Sequence, residues 1–161
     1  MGRYWLMGTA LGFCVAVAAP AFANGDSNYT PPKVTVGDSN QMARAITAIS
    51  AKDWHGAIST LNDIAAGDPQ NSDAENLLGY SYRMLGQYPE AFLHYDKALA
   101  LNPTHKGALE YEGEAYLETN QLPKAVANLA ALKTACGTAG CTEIAMLDDA
   151  IGRYKAKAKI N

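Results

Sequence analysis

The chain has 161 residues, a length that suits a single domain. Apolar residues make up 48% and charged ones 18%, which is enough to bury a core and unlike the composition of a disordered chain. The formal net charge of -3 argues against nucleic acid as a partner, because general binding to a phosphate backbone needs a basic face.

The first element is a targeting segment. Arg3 precedes an apolar run from Leu6 to Ala19, then Pro20 breaks the run and Ala-Phe-Ala follows at Ala21 to Ala23. That order is the plan of a secretory signal peptide, with cleavage expected after Ala23 and Asn24 at the new N-terminus. The alternative, an uncleaved anchor, is disfavoured because the run is shorter than the ~20 residues a spanning helix needs. A lipoprotein is disfavoured too, since Phe13 rather than a small residue precedes Cys14. Residues 1–23 are therefore read as the signal, leaving no integral membrane segment, and the chain is expected to be exported, to a periplasm or beyond the cell. Residues 24–37 are rich in Gly, Pro, Ser and Asn and read as a flexible leader, with Lys33 to Val36 its one alternating patch.

From Asn40 the texture changes to alanine- and leucine-rich stretches with helical spacing. The stretch from Asp73 to Pro103 holds Leu78-Gly79, Tyr82, Gly86, Tyr88, Ala91, Tyr95, Ala98 and Pro103. It resembles the tetratricopeptide repeat, whose pattern is L-G-x2-Y, then A-x3-[FY], then a later Ala and a closing Pro. The physical reasons are plain. Gly79 and Ala91 let two antiparallel helices approach, Tyr82 and Tyr95 fill the space between them, Ala98 admits the next repeat, and Pro103 ends the second helix. One period of about 34 residues further on, Gly113, Tyr116 and Ala125 repeat Gly79, Tyr82 and Ala91, while Leu129 and Leu132 are looser matches to Tyr95 and Ala98. One period back, Trp54, Ala57, Leu61, Ile64 and Pro69 match, and Ala45 and Ala48 stand in for the glycine and tyrosine. The resemblance thus implies three repeats at 38–71, 72–105 and 106–139. It also implies an all-α, right-handed superhelical solenoid of helical hairpins. Residues 140–161 then supply a capping helix, with Ile144, Leu147, Ala150, Ile151 and Tyr154 on its apolar stripe.

Cys136 and Cys141 flank Gly-Thr-Ala-Gly where the last repeat meets the cap. In an exporting compartment disulfides persist, and Gly137 and Gly140 permit the reversal that brings two sulfurs together. The pair is read as a staple; the similar cysteine pair at the C-termini of small exported bacterial members of the family points the same way. The alternative is a thiol-redox or metal-handling role. Thiol-disulfide enzymes usually place two residues between their cysteines at a helix start, and zinc wants four ligands. His55, His94 and His105 are scattered and read as surface or packing residues. Asp148, Asp149 and Glu143 lack a calcium loop and read as a solvated helix face. Arg153, Lys155, Lys157 and Lys159 complement the negative end of the last helix. No catalytic or cofactor motif occurs, so neither enzyme activity nor a cofactor is expected.

The resemblance also implies a working face. In this family the first helix of each repeat lines a concave groove that holds protein partners. With Leu78, Gly79 and Tyr82 pointing inward, the opposite stripe is Asn76, Tyr80, Arg83 and Met84, and in the third repeat Glu110, Glu114, Leu117 and Glu118. In the first it is Met42, Ile46 and Ile49. The basic clamp of some chaperone-associated members is missing. The expected partner is an extended peptide or helix of an envelope protein, with basic residues drawn to the glutamates, and the stripe is expected to stand clear of the core. The alternative is that Met42, Ile46 and Ile49 are ordinary core and the glutamates only a wet face.

Overall fold

The computed structural model describes residues 39–158. The expected signal, the leader and Lys159 lie outside that range. The described residues form seven α-helices: α1 Ser39–Ser50, α2 Trp54–Gly67, α3 Ser72–Met84, α4 Tyr88–Leu101, α5 Lys106–Glu118, α6 Leu122–Cys136 and α7 Thr142–Ala158. A short 3-10 turn, Gly137–Ala139, separates the last two. No strand occurs among these residues, and none of their helices is long and apolar enough to cross a membrane.

Local chemistry accounts for the helix ends. Asp53 Oδ1 accepts from Gly56 N at 3.0 Å and Asn71 Oδ1 from Ala74 N at 2.9 Å, satisfying free amides at the starts of α2 and α3. Proline in the first turn of α4 and of α6 costs no helical hydrogen bond. Each turn inside a hairpin closes in the same way. Asp53 N donates to Ala48 O, Gln87 N to Tyr82 O and Gln121 N to Tyr116 O, at 2.8, 3.0 and 2.7 Å. Lys52, Gly86 and Asn120 donate to Ile49, Arg83 and Leu117 at 2.9, 2.8 and 3.1 Å. This doubled bonding is a Schellman motif, and it requires a left-handed residue in each turn. Lys52, Gly86 and Asn120 take that conformation, with φ of 58°, 73° and 59°.

The hairpins α1–α2, α3–α4 and α5–α6 stack in order, and α7 packs on both α5 and α6. One core runs from Met42, Ala45 and Ile49 through Leu61, Leu78 and Tyr95 to Tyr111 and Ala115. A second joins Leu109, Leu117, Leu129 and Leu132 to Leu147, Ala150 and Ile151 of α7. Gly79 matters because a Cβ there would lie 2.6 Å from the Tyr95 ring. Tyr95 is fully buried by that approach, as are Ala91 and Ala98.

Candidate functional site

α3 and α5 lie side by side, and the stripe expected to line the groove sits along their seam. Here the structure corrects the sequence expectation. Asn76, Tyr80, Arg83, Glu110 and Leu117 do not stand clear of the core; all five are buried. Tyr80 belongs to the first core and Leu117 to the second. Met42 and Ile49 are core as well, and Ile46 packs against it half-buried. The cause is lateral. A stripe turned away from its own hairpin is still covered by the neighbouring first helix. Only Met84, 37% exposed, and Glu118, whose side chain is 42% exposed, present much surface.

Arg83 is the centre of this seam. Its Nη1 is 2.8 Å from Glu114 Oε2 and donates to Glu118 Oε1 at 3.0 Å, tying α3 to α5. The guanidinium also lies over the rings of Tyr80 and Tyr111, 5.5 and 6.0 Å from their centroids, so it is stacked as well as paired. Burial works against its charge, but Glu114 and Glu118 outweigh that and raise its pKa above the ordinary value. Arg83 therefore carries a permanent charge, and one cation serves two carboxylates. The expected acidic stripe is largely neutralised at its middle.

The rings form a ladder. Trp54 meets Tyr80 edge-on with centroids 6.0 Å apart, and Tyr80 meets Tyr111 at 4.9 Å. Trp54 and Tyr111 were missed as members of this face. Tyr111 falls one residue before the register of the inward Glu112, and Trp54 belongs to a second helix. Only their aromatic character beside Tyr80 could have flagged them.

Glu110, 2% exposed, has one oxygen, Oε1, without a hydrogen-bond partner. Burial pushes its carboxyl up to about 8, with Glu114 and Glu143 adding repulsion and Arg83 opposing them. The group is thus largely protonated at pH 7 and contributes little negative charge to the stripe. Asn76, one repeat earlier on α3, is fully buried with neither amide atom bonded.

Of the other residues singled out, His55 is exposed. His94 and His105 are packing residues with partners. His105 Nδ1 accepts from Ala108 N at 3.1 Å, capping α5, while its Nε2 lies 3.0 Å from Asp73 Oδ1 on α3. With Nδ1 accepting, the ring proton sits on Nε2. Cys136 and Cys141 are joined across the Gly137–Ala139 turn, their Cα atoms 5.7 Å apart. Gly137 and Gly140 supply that turn with φ of 59° and 69°. No group of three or more His, Cys, Asp or Glu among the described residues is placed to hold a metal ion.

Comparison with known proteins places this geometry. The family profile for the tetratricopeptide repeat matches residues 72–105, the α3–α4 hairpin and the turn that follows it. Cell division cycle protein 27 homolog A of Arabidopsis thaliana is 36% identical over 74 residues, 46% of this chain but 10% of that much longer protein. Two solved structures share the fold. The TPR2B domain of yeast Sti1 in its pHsp70 complex superposes with a TM-score of 0.68 at 15% identity, covering 74% of this chain and 96% of that one. PcrH in complex with the chaperone binding region of PopD gives 0.65 at 16% identity, covering 74% of this chain and 92% of that one. The chain thus carries a tetratricopeptide repeat at residues 72–105, set in a stack of helical hairpins that shares the fold of these solved tetratricopeptide structures.

Proposed function

We propose that this chain is a non-enzymatic protein-interaction module that holds an extended or helical segment of another protein along its first-helix face. The observation that carries the reading is the pre-ordered seam of Tyr80, Arg83 and Tyr111, with Glu114 and Glu118 beside it. These buried side chains hold one another, so the face they support, with Met84 and Glu118 exposed on it, is ordered before a partner arrives and loses little entropy on binding. The two structural neighbours were solved with partners, pHsp70 for one and the chaperone binding region of PopD for the other, which supports the same use here. Because Arg83 already serves two carboxylates, the face fits a segment with basic or neutral residues better than an acidic one.

Export completes the proposal. The signal-like order of residues 1–23 supports it, and so does a bonded cysteine pair, which belongs to an oxidising compartment. The partner is then an envelope or extracellular protein, and the cysteines are a staple rather than a redox centre. The test uses an exposed position on this face that carries little packing. Met84→Asp should abolish retention of the partner from envelope extract by the immobilised protein. Leu93→Asp on α4, 55% exposed in the wild type, should leave it intact. Equal retention by both variants would place binding elsewhere.

A further inference from the structure

Between the second helices of the first two hairpins lies a cleft of about 530 Å³, walled by Ala65 and Ala66 of α2, Leu78 of α3 and Leu101 of α4. Side-chain size at one register makes it. One period after Ala65 stands Leu99, which packs against the second core, so the first boundary leaves open the space that leucine occupies at the next. The polar edge is also particular to this boundary. Glu75 occupies the register of Leu109, a buried core residue of α5.

Glu75 is 7% exposed. Its Oε2 lies 2.6 Å from His94 Nδ1, and Tyr82 stacks on that imidazole with centroids 5.2 Å apart, which fixes the ring. The other oxygen, Oε1, is less well served. Lys97 Nζ stands 3.8 Å away on a side chain that is 52% exposed, too far to donate a hydrogen bond. A carboxylate oxygen can accept twice, and a buried charge is costly until it is compensated. The small apolar walls, the room and a carboxylate oxygen with capacity to spare therefore meet in one place.

We propose that this cleft binds an organic cation: an ammonium or guanidinium on a short aliphatic chain. The cation would sit on Glu75 Oε1, displacing the exposed end of Lys97, and the chain would lie against Ala65, Ala66, Leu78 and Leu101. The site is formed by α2, α3 and α4 away from the α3–α5 seam, so it does not depend on the reading of that seam. A partner's arginine or lysine side chain and a free diamine offer the same chemistry.

The test is an NMR titration of the 15N-labelled chain with Nα-acetyl-arginine methylamide, with cadaverine, and with uncharged Nα-acetyl-norleucine methylamide. Saturable shifts at Ala65, Glu75 and Lys97 with a cationic probe, and not with norleucine, are expected. A response to the arginine compound alone assigns the site to a partner side chain, and a response to cadaverine alone to a free amine. Ala65→Leu, which installs the leucine of the next boundary, and Glu75→Gln should each weaken binding by about tenfold or more. Should Glu75→Gln fail to fold, Ala65→Leu with native circular dichroism decides alone. An equal response to norleucine, no shifts at these residues, or undiminished cation binding in folded Ala65→Leu would overturn the proposal.

Discussion

Lys52, Gly86 and Asn120 occupy one position in three successive turns, and the same left-handed backbone costs each of them differently. Glycine adopts it freely and asparagine tolerates it, while a lysine pays about 1–2 kcal/mol. Lys52→Gly should therefore raise stability by about 0.5–1 kcal/mol in chemical denaturation; a loss would mean that the lysine side chain has an unrecognised role. Glu110 allows a second prediction at this scale. Its folded pKa is raised from 4.5 to about 8 by burial, so the native state holds a proton the unfolded chain releases. The stability this contributes is complete below about pH 4.5 and is lost as pH climbs towards 8. Its full slope is about 1.4 kcal/mol per pH unit. Glu110→Gln should flatten denaturation free energy against pH across that window and stabilise the protein most at its alkaline end. An unchanged slope would show the carboxylate to be ionised and solvated.

At the scale of the helix, close approach is decided where a side chain is missing. Gly79 lies against Tyr95 within the second hairpin. One period later Gly113 instead meets Leu147 of α7, whose side chain would be 2.7 Å from an added Cβ. The smaller Leu129 at the Tyr95 register is accompanied by this change, and the cap helix inserts a leucine beside α5. Gly79→Ala should destabilise by about 1–3 kcal/mol despite alanine's better helix propensity, because the aromatic ring cannot retreat within a filled core. Equal or greater stability would mean that the hairpin can open without cost. The seam between α3 and α5 has the opposite character, since it is joined by charge. Arg83 is buried between Glu114 and Glu118, and deleting one partner of such a group leaves the others uncompensated. The face proposed to bind a partner is therefore also a structural joint, and exposed Met84, outside the ion pairs, is the cleaner probe of binding.

Across the whole molecule, two apolar cores meet at α5. The first contains Tyr111 and Ala115, and the second Leu109 and Leu117, so opposite sides of one helix hold the two halves together. A stack of repeats contacts only neighbours and frays from its ends. At the C-terminal end α7 closes the second core, and the Cys136–Cys141 link fixes where α7 begins. Closing so short a ring contributes about 2 kcal/mol on the chain-entropy account. Replacing both cysteines by serine should lower stability by about that amount, and faster hydrogen exchange should be concentrated in α7 while α1 to α4 are unchanged. Uniform acceleration, or none in α7, would contradict the staple.

The repeat, its helices and the closing prolines were legible in the sequence because they rest on local rules. Gly79 and Ala91 recur one period on as Gly113 and Ala125, Tyr95 and Ala98 complete the pattern of the central repeat, and Pro103, just past the end of α4, cannot continue that helix. The facing of Asn76, Tyr80 and Arg83 was not legible. Helical spacing says which side of α3 they occupy, but not that α5 lies across them, and Arg83 meets Glu118 over a separation of 35 residues. Charge was misread for the same reason. Glu110, Glu114 and Glu118 look alike in the sequence, yet one is buried and largely protonated and two share a single arginine. The cleft beside Glu75 likewise depends on what an alanine at position 65 leaves unfilled between α2 and α4. Periodicity determines the elements, whereas burial, and with it charge state and open space, is decided by which neighbour packs across each face.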